Sequence, residues 1–181
     1  KKKIPFLGSL IGSYYKYIDK KNLKDSDSII VITDLFIDQL KKWRIDEKKI
    51  NVIPNWGSLD DVLIDEKHNS WSKENINNIN KFNVIYSGTM ALKHNPEIII
   101  EAAKTLQNIE FNIIGFGVGV DYIKENTSNL KNIHTFPIQP FNVFSKVLAS
   151  ADILIAVIEN DAGKFSVPSK ILNYMCAGKP I

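Results

Sequence analysis

From residue 82 to the end of the chain, short apolar runs rich in β-branched residues alternate with segments whose apolar positions recur every three or four residues. The runs are 82–86 (FNVIY), 110–114 (EFNII), a shorter one at 132–136, and 152–158 (DILIAVI). The segments between them predict helices at 96–106, near 119–127, at 141–150 and at 167–177. In the third of these, Phe141, Phe144, Val147, Leu148 and Ala151 fall on one face. Strands that are apolar on both faces, alternating with helices, specify an α/β fold with a Rossmann-like parallel sheet covered on both sides. The chain reaches Lys179-Pro180-Ile181 where a further strand is expected to begin.

Upstream, the pattern is a shorter version of the same theme. Residues 5–22 carry Phe6, Leu7, Leu10, Ile11, Tyr14, Tyr15 and Ile18 at helical spacing. The run 28–32 (SIIVI) reads as a buried parallel strand. Thr33 or Asp34 is placed to cap a helix carrying Leu35, Phe36, Leu40 and Trp43, and Asn51-Val52-Ile53 is a strand stopped by Pro54. Residues 58–81 are rich in Asn, Asp, Ser and Lys, the composition of a linker with short helices. The expected organisation is therefore the end of one domain at 1–57, a linker at 58–81, and an incomplete second domain at 82–181. A unit that starts on a lone helix and stops at the threshold of a strand reads as a piece of a longer protein.

Composition narrows the function classes. A single cysteine, Cys176, excludes an internal disulfide framework or a cysteine-based metal cluster and suits a reducing cytoplasm. Three scattered histidines give no metal-ligand spacing. No apolar run has the length to span a bilayer. The opening lysines and apolar Ile4 to Ile11 have the look of a signal peptide, but Tyr14, Tyr15, Lys16 and Tyr17 follow in place of a small-residue cleavage site. Residues 1–57 are net basic and the remainder slightly acidic, which fits a solvated surface or a face near an anionic membrane or lipid-linked substrate. Nucleic acid is not expected, because no basic stretch is interleaved with stacking aromatics.

In an open parallel sheet, ligands bind beyond the carboxyl ends of the strands. The turns expected there are 87–95, 115–119, 137–140 and 159–169. Ser166-Val167-Pro168-Ser169-Lys170 places a serine ahead of a helix with proline in its first turn, a plain helix cap or a site for phosphate at the positive helix end. Gly88 would let a ligand approach the backbone, and Lys93 is either a point charge for phosphate or a solvated loop lysine. His94 is either a ligand donor or an ordinary residue at the start of a helix. The glycine loop Gly115-Phe116-Gly117-Val118-Gly119 departs from the dinucleotide fingerprint and lacks the acidic residue for a ribose, so a nicotinamide dehydrogenase is disfavoured. Glu159 and Asp161 stand just after an apolar strand, where they could hold sugar hydroxyls or cap a loop. No nucleophile–base constellation is legible.

The segments YSGTMALKHNPE (86–97), FPIQPF (136–141), LASADILIA (148–156) and VIENDAGKFSVPSKILNYMCAGKPI (157–181) together resemble the C-terminal domain of family 4 glycosyltransferases of GT-B fold. The nearest likeness is to the subgroup serving bacterial O-antigen, capsular and colanic-acid-type polysaccharides. SDSIIVIT (26–33) and KINVIPNW (49–56) are similar to the end of the N-terminal acceptor domain of such enzymes.

The resemblance implies a nucleotide-sugar donor, a glycan or polyprenyl-linked acceptor, no cofactor, and metal-independent transfer with retention, at the inner face of the plasma membrane or free in the cytoplasm. It assigns the donor diphosphate to Gly88, Thr89, Lys93 and His94, and to Ser166, Val167, Pro168, Ser169 and Lys170. It sets Ile138 and Gln139 beside the base, with Gly115 and Phe116 in the neighbouring turn. Where relatives carry an arginine after the glycine, this chain has Thr89. The two glutamates of the broad family fall on Phe165 and Asn173, so Glu159 is the expected replacement for the first, and Asn173 stands where the ribose contact would be. Lys93, Lys170 and Glu159 are the expected catalytic groups. Other readings are a GT-B nucleotide-sugar 2-epimerase and a non-catalytic α/β module that binds a phosphate ligand or a protein.

Overall fold

The computed structural model describes residues 5–57, 60, 62–91, 94–157 and 169–181. It divides into two compact units, Lys1–Asn55 and Trp56–Ile181.

In the first unit, helix α1 (Pro5–Asp25) leads to β1 (Ile29–Val31), α2 (Leu35–Lys42) and β2 (Ile50–Val52). The two strands pair in parallel, Ile29 opposite Ile50 and Val31 opposite Val52. The core is Ile29, Val31, Leu40 and Ile45. Lys49 ties the end of α1 to the start of β2 by donating to the carbonyls of Lys24 and Ser26 at 3.0 and 2.9 Å. The expectation that β1 is buried on both faces is corrected here: Ile30 is 66% exposed, because within this unit only the Ile29/Val31 face is packed.

The second unit is a three-layer α/β/α sandwich. Its strands are β3 (Phe82–Thr89), β4 (Ile109–Phe116), β5 (Ile133–Phe136) and β6 (Ile153–Leu154). They form one parallel sheet in the order β5-β4-β3-β6. Helices α4 (Glu97–Thr105) and α5 (Val118–Asn126) close one face over Val84, Tyr86, Phe111, Ile113 and Ile133. Helices α3 (Ser70–Asn75), α6 (Phe144–Ala149) and α7 (Ser169–Cys176) close the other over Ile85, Ile114 and Leu154. Apolar residues at both odd and even strand positions are what this arrangement requires.

Three differences from the sequence reading have local causes. The stretch read as a linker contributes Val62, Trp71 and Ile76 to the core. Asn69 caps α3 by accepting from the Ser72 amide and donates to the carbonyls of Glu66 and Lys146, and Lys67 pairs with Asp152 at 2.6 Å. These anchors are widely spaced, so neither helix nor strand periodicity reveals them. The helix expected at 141–150 is a 3-10 turn at Phe141–Val143 followed by α6, because Pro140 starts the turn in an extended conformation. The long strand expected at 152–158 pairs with β3 only at Ile153 and Leu154, with Ile155 N–H still donating to the Ile85 carbonyl. On the outer side of β6, Leu154 N–H donates to the Pro180 carbonyl at 2.8 Å, so the last residues run alongside the sheet.

Candidate functional site

The carboxyl end of β3 and the amino end of α7 meet at a glycine. Gly88 has φ +129°, a conformation that side-chain-bearing residues rarely adopt, and it carries the strand into the turn at Thr89. Two tyrosines brace that turn from opposite sides. The buried Tyr174 of α7 accepts from the Ser87 amide at 2.9 Å and donates to the Ser87 carbonyl at 3.0 Å. Tyr86, also buried, donates its hydroxyl proton to the Thr89 carbonyl at 2.7 Å. Burial pushes the pKa of Tyr86 up to about 12 and raises that of Tyr174 further, so both stay neutral donors at physiological pH.

Lys170, in the first turn of α7, reaches over this turn. Its amine lies 3.7 Å from the centroid of the Tyr86 ring and hydrogen-bonds the Tyr86 hydroxyl. It also stands 3.5 Å from where a Cβ on Gly88 would be, an ordinary contact distance, so the amine lies directly against the Gly88 turn. Among the described residues no carboxylate pairs with it. Burial pushes its pKa down to about 8. It is a positive charge held on a neutral aromatic platform, with no counter-ion among the described residues.

Around this charge opens a cleft of about 550 Å³, within the size range of small-molecule sites. It brings together Gly88, Thr89, Ile138, Gln139, Ser169, Lys170 and Asn173 from the sequence reading. Gln139 is not free to turn: its Oε1 accepts from Trp71 Nε1 at 3.0 Å and its Nε2 donates to the Pro137 carbonyl at 2.9 Å. That clamp fixes the loop and leaves Ile138 exposed. Opposite the helix end, Phe141 and Phe144 stack with ring centroids 6.1 Å apart and planes 15° from parallel.

The other sequence-read residues lie elsewhere. Gly115 and Phe116 pair in register with Gly88 and Thr89 but do not line the cleft. Gly115 is a packing glycine: a Cβ there would fall 2.0 Å from the Gly88 carbonyl oxygen. Gly117 and Gly119 similarly accommodate Met90, whose carbonyl accepts from Gly119 N–H. His94 accepts at Nδ1 from the Ala91 amide at 3.1 Å, in the turn before α4. Lys93, Glu159, Ser166, Val167 and Pro168 lie outside the described residues, as does Asp161. Among the described residues no group of three or more acidic, histidine or cysteine side chains is placed to hold a metal ion, and no helix is long and apolar enough to cross a membrane.

Sequence reasoning missed Tyr86, Tyr174, Phe141 and Phe144. Each sits in an apolar pattern that looks like core, and only the exposure of Phe141, 64%, separates it from a buried helix residue. A second, polar cavity of about 340 Å³ lies on the α3 side of the sheet, among Asn75, Asn78, Glu110, Asn112 and His134. Its principal charge is already satisfied: Glu110 accepts from Lys81 at 2.7 Å, His134 at 2.9 Å and Asn78 at 3.1 Å.

No family model matches the chain. It is 23% identical over 181 residues to WcaI of Escherichia coli (strain K12), a protein named for colanic acid biosynthesis and glycosyl transfer; the match covers 94% of this chain and 44% of that one. It superposes on sucrose-phosphate synthase from Thermosynechococcus elongatus with TM-score 0.68 at 14% identity, over 91% of this chain and 42% of that one. HepE from Anabaena, solved in complex with UDP and glucose, matches with TM-score 0.67 at 15% identity, over 86% of this chain and 43% of that one. The chain has the GT-B glycosyltransferase fold. It spans less than half the length of these relatives. In GT-B terms the cleft between β3 and α7 lies at the carboxyl ends of the parallel strands, where an open α/β sheet takes its ligand.

Proposed function

We propose that the chain is part of an enzyme that transfers a sugar from a nucleoside-diphosphate sugar, a UDP-sugar by this reading, to a glycan or lipid-linked acceptor in bacterial surface polysaccharide synthesis. The observation that carries the proposal is the convergence of the Gly88 turn and the amino end of α7 on one cleft, with Lys170 as its charge. A diphosphate seated there meets an ammonium, the positive end of a helix and a glycine that admits close approach. The stacked Phe141 and Phe144 offer an apolar wall to a base, beside Ile138 and the loop clamped through Gln139. Support for uracil comes from the HepE structures, which hold UDP and UDP-glucose.

The mechanism follows from the leaving group. A nucleoside diphosphate departs as a multiply charged anion, so lowering the barrier requires stabilising charge that develops on phosphate oxygen. Lys170, with Lys93 and the amides around Ser166 to Ser169, would supply that stabilisation without a metal. Glu159 is the carboxylate we assign to the sugar side of the site, and Asn173 the polar group nearest the ribose. Transfer with retention belongs to the same proposal. Residues 1–57 would belong to the acceptor domain, and the basic first unit would lie against the inner face of the membrane.

The test is calorimetric titration with UDP and GDP of the chain and of its Lys170→Met and Lys93→Ala variants. UDP binding weakened about tenfold by either substitution, a cost of about 1.4 kcal/mol, supports the donor site. Binding of GDP in preference to UDP overturns the base assignment, and binding of neither by folded protein overturns the donor site.

A further inference from the structure

Resting on the reading of this cleft as a nucleoside-diphosphate site, we infer that Tyr86 is a positioning residue for Lys170, holding its amine over Gly88 until a diphosphate takes it over, so that nucleotide binding above neutral pH takes up a proton. The geometry supplies each part. The Tyr86 hydroxyl has its proton committed to the Thr89 carbonyl at 2.7 Å, so its oxygen is left to accept from Lys170. The ring beneath, 3.7 Å from the amine, adds cation–π attraction. Thr89 and Gly88 line the cleft, and the amine sits beside Gly88.

A tyrosine suits this task better than a carboxylate would. Asp or Glu would hold the ammonium more tightly, but its negative charge would repel the diphosphate that the ammonium is meant to meet. A neutral hydroxyl and a π face orient the amine without that repulsion. Among the described residues, the titratable groups around Lys170 are Tyr86 on β3 and Tyr174 one turn further along α7. The wall formed by residues 138–144 presents Gln139 and two phenyl rings to the cleft, with no ionisable group. Among the described residues no counter-charge offsets the desolvation of the ammonium in the free protein, and burial lowers its pKa to about 8. A diphosphate arriving at Gly88 provides the missing counter-charge. The neutral amine then gains one proton from solvent and becomes the ammonium, with no other bond made or broken.

The experiment is UDP titration by calorimetry at pH 7.0 and 8.5, in two buffers of different ionisation enthalpy. Both values lie above the second ionisation of a phosphate ester, near 6, so the phosphate charge changes by only about a tenth of a unit, in the direction that opposes the expected weakening. The wild-type chain is expected to bind about fourfold more weakly at pH 8.5, with uptake of roughly three quarters of a proton, as a group titrating near 8 dictates. Tyr86→Phe keeps the ring and frees the amine to reach solvent, so binding at pH 7.0 weakens and the pH dependence flattens. Lys170→Arg keeps the charge at both pH values, so UDP binds with no proton uptake. A wild-type affinity that is independent of pH while Lys170→Met still weakens UDP overturns this inference and leaves the donor site standing. A pH slope retained in Tyr86→Phe overturns it as well. Should circular dichroism show Tyr86→Phe unfolded, a slope persisting in Lys170→Arg is the result that refutes it. Folded wild-type protein that binds no UDP removes the donor site and the inference together.

Discussion

The Lys170 amine stands 3.7 Å from the centre of the Tyr86 ring, and the two residues come from positions 84 apart in the chain. They meet beside Gly88, whose φ of +129° side-chain-bearing residues rarely adopt; a Cβ there would lie at ordinary van der Waals distance, 3.5 Å, from the amine. The contact sets a charge at the mouth of the cleft and carries a stability cost, since burial disfavours the ammonium.

That cost makes stability and binding move in opposite directions. In the folded chain the Lys170 pKa is depressed to about 8, whereas the unfolded chain has the ordinary lysine value. Between these limits the unfolded state binds more protons, so this residue makes wild-type stability rise with pH from about 8 to 10. Lys170→Met removes the buried charge and should be more stable than wild type at pH 7, by about 1 kcal/mol after allowance for solvent screening. The advantage should shrink as pH rises through that window. Urea denaturation at pH 7 and at pH 10 measures both effects.

Gly115→Ala should be among the most damaging small substitutions in the second unit. Its methyl group would be built 2.0 Å from the Gly88 carbonyl oxygen, between β3 and β4, where neither backbone can yield without breaking the ladder. A loss of about 2–3 kcal/mol is expected, at the upper end for overpacking. Chemical denaturation gives the number; a change below 0.5 kcal/mol would contradict the packing role.

Glu110 is 2% exposed and joins β4 to β5 and to the turn ahead of β3 through His134, Lys81 and Asn78. Burial alone would raise its pKa, but the hydrogen bonds from Lys81 and His134 outweigh it and hold the pKa below the usual glutamate value. A depressed folded-state pKa contributes stability above the unfolded-state value that is lost as pH falls through the folded one. Wild type should therefore lose more stability than Glu110→Gln between pH 5 and pH 3. Glu110→Ala removes three hydrogen bonds but leaves Lys81 and His134 within reach of water, so it should cost about 1–2 kcal/mol at pH 7. Thermal melts of the three proteins across this range test the prediction.

The first unit carries a prediction about membranes. Helix α1 exposes Leu10, Ile11, Tyr14, Tyr15 and Tyr17, and residues 1–57 are net basic. Flotation with vesicles containing anionic lipid should recover the chain, with recovery falling as salt is raised through the range that screens such attraction. Equal recovery on neutral vesicles would refute the electrostatic part, and no recovery on either would refute membrane contact altogether.

The alternation of β and α patterns was enough to determine the parallel sheet, its helices on both faces and the turns that gather at one end. Those features follow from local periodicity, which any stretch of the sequence carries within itself. It likewise placed Gly88, Thr89, Ile138, Gln139, Ser169 and Lys170 at that end, while Asn173 entered only through the family resemblance. What the pattern could not provide was the contact between positions far apart. Tyr86 and Tyr174 look like core residues until their hydroxyls are seen to brace the Ser87–Thr89 backbone from opposite faces of β3. Gly115 looks like a ligand-binding glycine until its neighbour proves to be the Gly88 carbonyl. Residues 62–81 look like a linker until Trp71 is found buried and bonded to Gln139. Hydrophobic patterning acts along the chain and is written there; hydrogen-bond partners and close backbone approaches act across space, and only the folded arrangement decides them.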